Sequence, residues 1–415
     1  MKEFKDVEKI LVMKLRHIGD VLLCVPAIRA IRESFPNAHI AALVNSGTEE
    51  MLALNPLLDE VICYKRGMKK LFLVNRMREE IRFIKELKAK GFDMTVDLTG
   101  GDRAALTGFF IGARYRLAYD MKGSGFLGKR RLLHLLELAE FKTKKSGFFG
   151  KRWLYTHLAP KPKPMTHAVL RDLGLVNAFG MDTQDLSVDI YADPADDAYI
   201  ENVLKASGLQ KDEPFVHVHP TSRWLFKAWQ DSSMAWVLDK IEDAGLRVVI
   251  TASDDEAELN RVKSIIGLMK TKPIDLSGRL KLNHLASLSK RAAFYFGIDT
   301  APMHIAAAVG TRVVAVFGPS GSFDWGPWDN AASRRLRIRD NKKGYRQISS
   351  PYRLKNGVQV NGIHTVIQKD WTCVPCGKAG CENTQKSRCL DELEKDAVWK
   401  VLSKVIEGMG RSIAR

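Results

Sequence analysis

Three short segments of this 415-residue chain combine reactive residue types with positions where a fold would present them. The first, Arg16-His17-Ile18-Gly19-Asp20, follows directly on the apolar run Ile10-Leu11-Val12-Met13-Lys14-Leu15. A carboxylate just beyond a buried strand can act as general base, taking the proton of a substrate hydroxyl as its oxygen attacks an electrophilic carbon. Asp20 equally suits the simpler task of capping the next helix, and His17 is the next candidate base. The second segment runs from His219 to Trp229, HPTSRWLFKAW. The hydroxyls of Thr221 and Ser222 suit phosphate oxygens, and Arg223 or Lys227 can neutralise a diphosphate leaving group without a metal. An ordinary polar loop would carry the same residue types. The third is Phe296-Gly297-Ile298-Asp299-Thr300-Ala301-Pro302-Met303-His304, a strand breaking into a helix. Thr300 can cap that helix, Pro302 is tolerated in its first turn, and its free amides attract an anion. His304 falls in the first turn, either within reach of a bound nucleotide or simply packing the helix.

Two further clusters are more ambiguous. Cys373, Cys376, Cys381 and Cys389 form a C-x2-C-x4-C-x7-C series holding four of the six cysteines. Four thiolates can hold zinc, but the second pair departs from zinc-ribbon spacing, so packed free thiols remain an alternative. Gly123 to Lys129 matches a phosphate-binding P-loop up to its lysine, yet Arg130 stands where a magnesium-binding Ser or Thr is required, which disfavours an NTPase. No G-x-G-x-x-G fingerprint follows the first strand, so a dinucleotide-binding first half is disfavoured too.

These residues must be positioned by alternating strands and helices. In the first half the apolar runs at Ile10 to Leu15, His39 to Val44, Glu60 to Cys63 and Asp93 to Leu98 read as strands. Helical spacing from Pro26, from Leu71 to Lys90 and from about Asp102 fills the gaps. After residue 180 strands are expected at Phe215 to His219, Leu246 to Thr251, Ala292 to Ile298 and Arg312 to Phe317. Such alternation predicts parallel sheets with ligands at the strands' carboxyl edges. The acidic, poorly periodic stretch Asp182 to Asp197 separates the two series, which gives domains at 1–180 and 181–390 and a helix over 391–415 that returns to the first half. Residues 320–370, with Arg334, Arg335, Arg337 and Arg339, read as a long irregular insertion.

The composition, 45% hydrophobic and 27% charged, is that of a globular protein and excludes disordered or disulfide-scaffold classes. No apolar stretch is long enough to span a membrane, and the charged start lacks a signal peptide's apolar run, so a cytoplasmic location is expected. The net charge of +17 predicts a negatively charged partner. It is concentrated in residues 1–180, which hold 32 Lys and Arg against 19 Asp and Glu. Residues 114–163 alone carry 13 basic and three acidic residues, interleaved with Phe126, Phe148, Phe149 and Trp153. Cations beside aromatics suit shallow contact with an anionic membrane, and Arg103, Lys129, Arg130, Arg131, Lys151 and Arg152 are the candidates for acceptor or membrane contact.

In combination the segments ILVMKLRHIGDVLLCVPAI (Ile10 to Ile28), FDMTVDL (Phe92 to Leu98), HPTSRWLFKAW and GIDTAPMHIAAAVGTRVVAVFGPS (Gly297 to Ser320) resemble the lipopolysaccharide heptosyltransferases of glycosyltransferase family nine. WTCVPCGKAGC (Trp371 to Cys381) is similar to a segment of third-heptosyltransferase-type members. The resemblance implies an α/β GT-B fold, two Rossmann-like doubly wound domains facing across a cleft, with the acceptor in the first and the nucleotide sugar in the second. It implies inverting transfer of heptose from ADP-heptose to a phosphorylated, lipid-linked saccharide of the lipopolysaccharide inner core, with no metal or cofactor and with peripheral attachment to the inner face of the inner membrane. The family's catalytic Asp maps onto Asp20, its phosphate-binding residues onto Thr221, Ser222 and Lys227, and its Asp-Thr-x-x-x-His element onto Asp299, Thr300 and His304. A nucleoside-contacting acid of the family maps more loosely onto Asp254. A sugar-nucleotide epimerase of the same architecture and a non-catalytic nucleic-acid binder are the rival readings, the latter without any recognised motif.

Overall fold

The computed structural model describes residues 4–65, 73–120, 151–334 and 349–413. Two compact units divide the chain: unit 1 runs to Pro164 and resumes over Val169–Asp185, while unit 2 takes Met165–Ala168 and most of the chain from Leu186 onward. Residues 181–185 stay with unit 1 because Thr183 donates its hydroxyl to Glu33 at 2.9 Å and Arg29 donates to the Asp185 carbonyl at 2.9 Å.

Unit 1 is built on six strands: β1 (Lys9–Lys14), β2 (His39–Asn45), β3 (Glu60–Tyr64), β4 (Met94–Asp97), β5 (Tyr115–Tyr119) and β6 (His157–Ala159). Their order is β3-β2-β1-β4-β5-β6 and every pairing is parallel. β1 reads as a continuous apolar run because both its faces are covered: Ile10 to Met13 are buried, with Leu11 and Met13 packed beside Ala41, Leu43, Phe92 and Ala104. The order reverses at β1, which lies between β2 and β4, so the crevice of such a sheet opens at the carboxyl ends of β1 and its neighbours.

Unit 2 repeats the plan with β7 (Phe215–His219), β8 (Arg247–Ile250), β9 (Ile274–Asp275), β10 (Phe294–Ile298), β11 (Val313–Phe317), β12 (Val358–Asn361) and β13 (His364–Gln368). The order β12-β13-β11-β10-β7-β8-β9 reverses at β7, and only the edge strand β12 is antiparallel. Gly297 of β10 faces His219 of β7, and a Cβ there would lie 2.6 Å from the His219 carbonyl, so glycine is required for these strands to meet.

Two expectations are corrected. Arg335, Arg337 and Arg339 lie outside the described residues, but the described part of 320–370 is no irregular insertion: β13 pairs in parallel with β11 and is buried throughout. Its polar ends hid it, since His364 accepts from the Val313 amide at 3.2 Å and Gln368 donates to the Gly318 carbonyl at 2.6 Å. The C-terminal helix, Lys395–Ile413, belongs to unit 2, where Val398 and Leu402 enter the core that also holds Val237 and Leu238 of the Asp231–Asp243 helix. The helix is amphipathic, and that apolar face is already satisfied there.

Candidate active site

In unit 1 the chain leaves β1 at Lys14 and turns into the short helix Ile18–Leu22. The turn is tied to both neighbouring strand ends. Arg16 donates twice to the Thr99 carbonyl, at 2.7 and 3.1 Å, the Leu15 amide donates to the Thr99 hydroxyl at 2.8 Å, and Asn45 donates to the Arg16 carbonyl at 3.0 Å. Asp20 sits in the first helical turn, half-buried, with one carboxylate oxygen accepting from the His17 amide at 3.3 Å. His17, not Asp20, occupies the cap position. Asp20 still serves the helix start, as the third-position partner of a capping box with His17.

Beneath this turn lies a buried ion pair that the sequence did not reveal. Lys14 reaches Asp172 at 2.5 Å and the Leu98 carbonyl at 3.2 Å, with both side chains 4% exposed. Burial pushes the Asp172 carboxyl up although the Lys14 ammonium opposes it, and the charge of Asp20 adds to the rise. The Cys24 thiol is pushed up to about 12, chiefly by burial. Asp97, at the end of β4, accepts from Tyr155 and from the amides of Thr99 and Gly100 at 2.8 and 3.0 Å, and burial still holds its carboxyl above the usual range. Asp20 is thus a half-buried acid, whereas Asp97 and Asp172 are buried and each is engaged by its own partners.

Unit 2 places its candidates around the carboxyl ends of β7 and β10. Lys227, in the turn Leu225–Lys227, forms an ion pair with Asp299 at 2.7 Å. Burial disfavours ionised Asp299, but the Lys227 ammonium, the Ser320 hydroxyl and the nearby His304 imidazole together hold its carboxyl below the usual range. Lys227 also lines a cavity of about 400 Å³, together with Phe226, Ser320, Gly321, Asp324 and the turn Pro375–Lys378. Of the expected donor residues, Lys227 is the one in this lining. Thr221 and Ser222 are buried, and the Thr221 hydroxyl has no hydrogen-bond partner among the described residues. Arg223 is exposed with its guanidinium 5.0 Å from the Trp224 ring, and Asp254 is exposed. Thr300 holds the N-cap position of the Ala301–Ala308 helix, but its side chain makes no capping bond, so the expected cap is positional only. His304 is buried in that helix.

Below the β7 end, His217 bonds Ser289 at 2.8 Å and Thr251 at 2.9 Å, while His219 meets the same Thr251 hydroxyl at 3.0 Å. Burial lowers both imidazoles to about 3, so both are neutral at physiological pH. Glu258 brings a buried carboxylate to 3.8 Å from His219, and burial raises its pKa. Nothing in the acidic run Asp254-Asp255-Glu256 distinguishes Glu258 by type; its helical register alone turns it inward.

The remaining candidates divide. Arg103 is engaged by Glu80 at 2.7 Å and lies over the Tyr64 ring at 4.1 Å, and Arg152 pairs with Asp120 at 3.1 Å. Lys129, Arg130 and Arg131 lie outside the described residues, as do Phe126, Phe148 and Phe149; Lys151 opens the turn Lys151–Leu154. All six cysteines are free, Cys373 and Cys376 are exposed, and among the described residues no three His, Cys, Asp or Glu side chains converge as a metal site. Cys389 is buried, and its thiol is pushed up to about 12 by burial and by the neighbouring Cys381, Cys376 and Cys373.

Two doubly wound sheets, each with candidate residues at its carboxyl edge, are the architecture of the GT-B fold. The Glycosyltransferase family 9 (heptosyltransferase) model matches residues 139–351. Lipopolysaccharide heptosyltransferase 3 of Escherichia coli K12 is 30% identical over 315 residues, which cover 76% of this chain and 83% of that one. Two solved structures share the fold: a family 9 glycosyl transferase of Veillonella parvula (TM-score 0.70, 19% identity, 97% of both chains) and ADP-heptose lps heptosyltransferase II of E. coli (TM-score 0.64, 16% identity, 97% of this chain and 99% of that one). The chain belongs to glycosyltransferase family 9, the heptosyltransferases, and neither the epimerase nor the nucleic-acid-binding reading is favoured.

Proposed function

We propose that this enzyme transfers a heptose from ADP-heptose to the inner core of lipopolysaccharide by a single inverting displacement. Family membership and the likeness to heptosyltransferase 3 support the reaction, and the donor named for E. coli heptosyltransferase II supports the nucleotide sugar. In this reaction the acceptor oxygen forms a bond to the anomeric carbon, the bond from that carbon to the diphosphate breaks, ADP departs, and the acceptor proton passes to Asp20. The observation that carries the donor assignment is Lys227, held by buried Asp299 at 2.7 Å while lining the cavity of unit 2. A cation fixed in this way stabilises charge developing on the leaving oxygen without having to reorganise. Thr221, Ser222, Arg223, Asp254, Thr300 and His304 complete the donor set.

Unit 1 is the acceptor side, and its basic 114–163 region serves a phosphorylated acceptor and the anionic inner face of the membrane, where the enzyme associates peripherally. Among the described residues, Trp153 (74% exposed), Phe110 (54%) and Phe109 (44%) support this, with the Arg116 guanidinium 5.8 Å from the Phe109 ring. No helix of the described residues is long and apolar enough to cross a membrane.

The test is to incubate the enzyme with ADP-heptose and a heptose-deficient core acceptor, wild type against Asp20→Asn. Asparagine can still accept from the His17 amide, so the fold stays while turnover falls about 100- to 10,000-fold and ADP affinity is unchanged. Near wild-type turnover by Asp20→Asn moves the base elsewhere, with His17 next; ADP-heptose conversion that needs no acceptor refutes the transferase assignment.

A further inference from the structure

Lys227 cannot by itself balance the leaving group. A nucleoside diphosphate carries on the order of two to three negative charges near neutral pH, and the Lys227 charge is already offset by Asp299. The cavity lining contains one other cation, Lys378, and one acid, Asp324, which suits sugar hydroxyls rather than phosphate. Lys378 is exposed and makes no hydrogen bond or ion pair among the described residues.

The turn that carries Lys378 is built into the cavity wall. The Gly377 amide donates to the Pro319 carbonyl at 2.8 Å, just beyond β11. Asn356 donates to the carbonyls of Trp371 and Val374, both at 2.8 Å, and Val374 is buried in the unit 2 core. Downstream, Ser387 donates to the Phe226 carbonyl at 2.6 Å, which ties this segment to the turn holding Lys227. Gly377 has φ +68°, a conformation that lets the turn reverse and bring Cys376 and Lys378 to the same cavity.

We propose that Lys378 is a second diphosphate-binding cation of the donor site, so that the cysteine-bearing segment is a wall of that site rather than a separate module. The inference rests on the assignment of unit 2 to a nucleotide donor. It also makes Cys376 a reporter: this residue lines the cavity, whereas Cys373, also exposed, does not.

Calorimetric titration of ADP and AMP into wild type, Lys378→Ala, Lys378→Arg and Lys227→Ala tests it. Loss of one charge-assisted contact should weaken ADP binding about tenfold in Lys378→Ala. AMP binding should change much less, and Lys378→Arg should recover most of the ADP affinity. In parallel, ADP should slow iodoacetamide labelling of Cys376 but not of Cys373, read by peptide mass spectrometry. Lys378 is exposed, so melting temperatures should match wild type. If Lys378→Ala binds ADP as wild type does while Lys227→Ala is weakened, the donor site stands and Lys378 is not part of it. Unprotected Cys376 likewise overturns the placement of this turn against the ligand. If ADP fails to bind wild type, or Lys227→Ala leaves binding intact, the donor assignment falls and this inference with it.

Discussion

Replacing Asp299 by Asn keeps the shape and an oxygen acceptor for Lys227 but removes the charge. At the observed 2.7 Å separation, an effective dielectric of roughly 20 gives a gross attraction of about 6 kcal/mol. The cost of burying Asp299, whose side chain is 5% exposed, opposes much of that, and Asn retains part of the hydrogen bond. The net loss at pH 7 should be about 2 to 3 kcal/mol, which at a urea dependence of about 2 to 3 kcal/mol per molar lowers the midpoint by roughly 1 M. The sign with pH follows from the depressed carboxyl of Asp299. Its stabilisation is complete above the unfolded value near 4 and is lost as pH falls through the lower folded value, so the gap between wild type and variant should close toward acid. Intrinsic fluorescence is a suitable probe, because of the eight tryptophans only Trp153 lies in unit 1. A midpoint difference that persists unchanged to pH 3, or one below about 0.2 M at pH 7, would refute the argument that a charge pair anchors Lys227.

Three other outcomes are expected. His217 and His219 are held neutral down to about 3 but take protons near 6.5 when unfolded, so unit 2 should lose stability as pH falls below about 6.5, by up to roughly 1.4 kcal/mol per pH unit for each. Replacing both by Gln should flatten the urea midpoint against pH, and an unchanged slope counts against it. Turnover should survive EDTA, because the donor diphosphate is assigned to lysines and amides; rescue of a chelated, still folded enzyme by magnesium or manganese refutes this. Binding to anionic vesicles should weaken with added salt and with Trp153→Ala, since exposed charges are screened beyond about 8 Å at physiological ionic strength; binding insensitive to both, measured by sedimentation, removes the membrane assignment.

The sequence by itself determined the repeated strand-helix plan and eight of the thirteen described strands, while β5, β6, β9, β12 and β13 were not among those expected. A branched, continuous apolar run such as Ile10 to Met13 reads as a strand covered on both faces, and a polar cluster straight after it falls at the sheet edge. Asp20 and Lys227 were therefore legible as candidates from local pattern, whereas Asp299 was marked only by the resemblance to the family's Asp-Thr-x-x-x-His element. Which of them meet was not. Lys227 and Asp299 are 72 residues apart and Lys14 and Asp172 are 158 apart, and no periodicity links residues at such distances. β13 escaped notice because His364 and Gln368 look like loop residues until the backbone groups that satisfy them are in place. The cavity wall from Pro375 to Lys378 likewise exists only because one amide of that turn bonds the end of β11. Local spacing fixes which residues reach a strand's end, whereas long-range packing decides which charges share a site, because that choice depends on desolvation and partners supplied by distant segments.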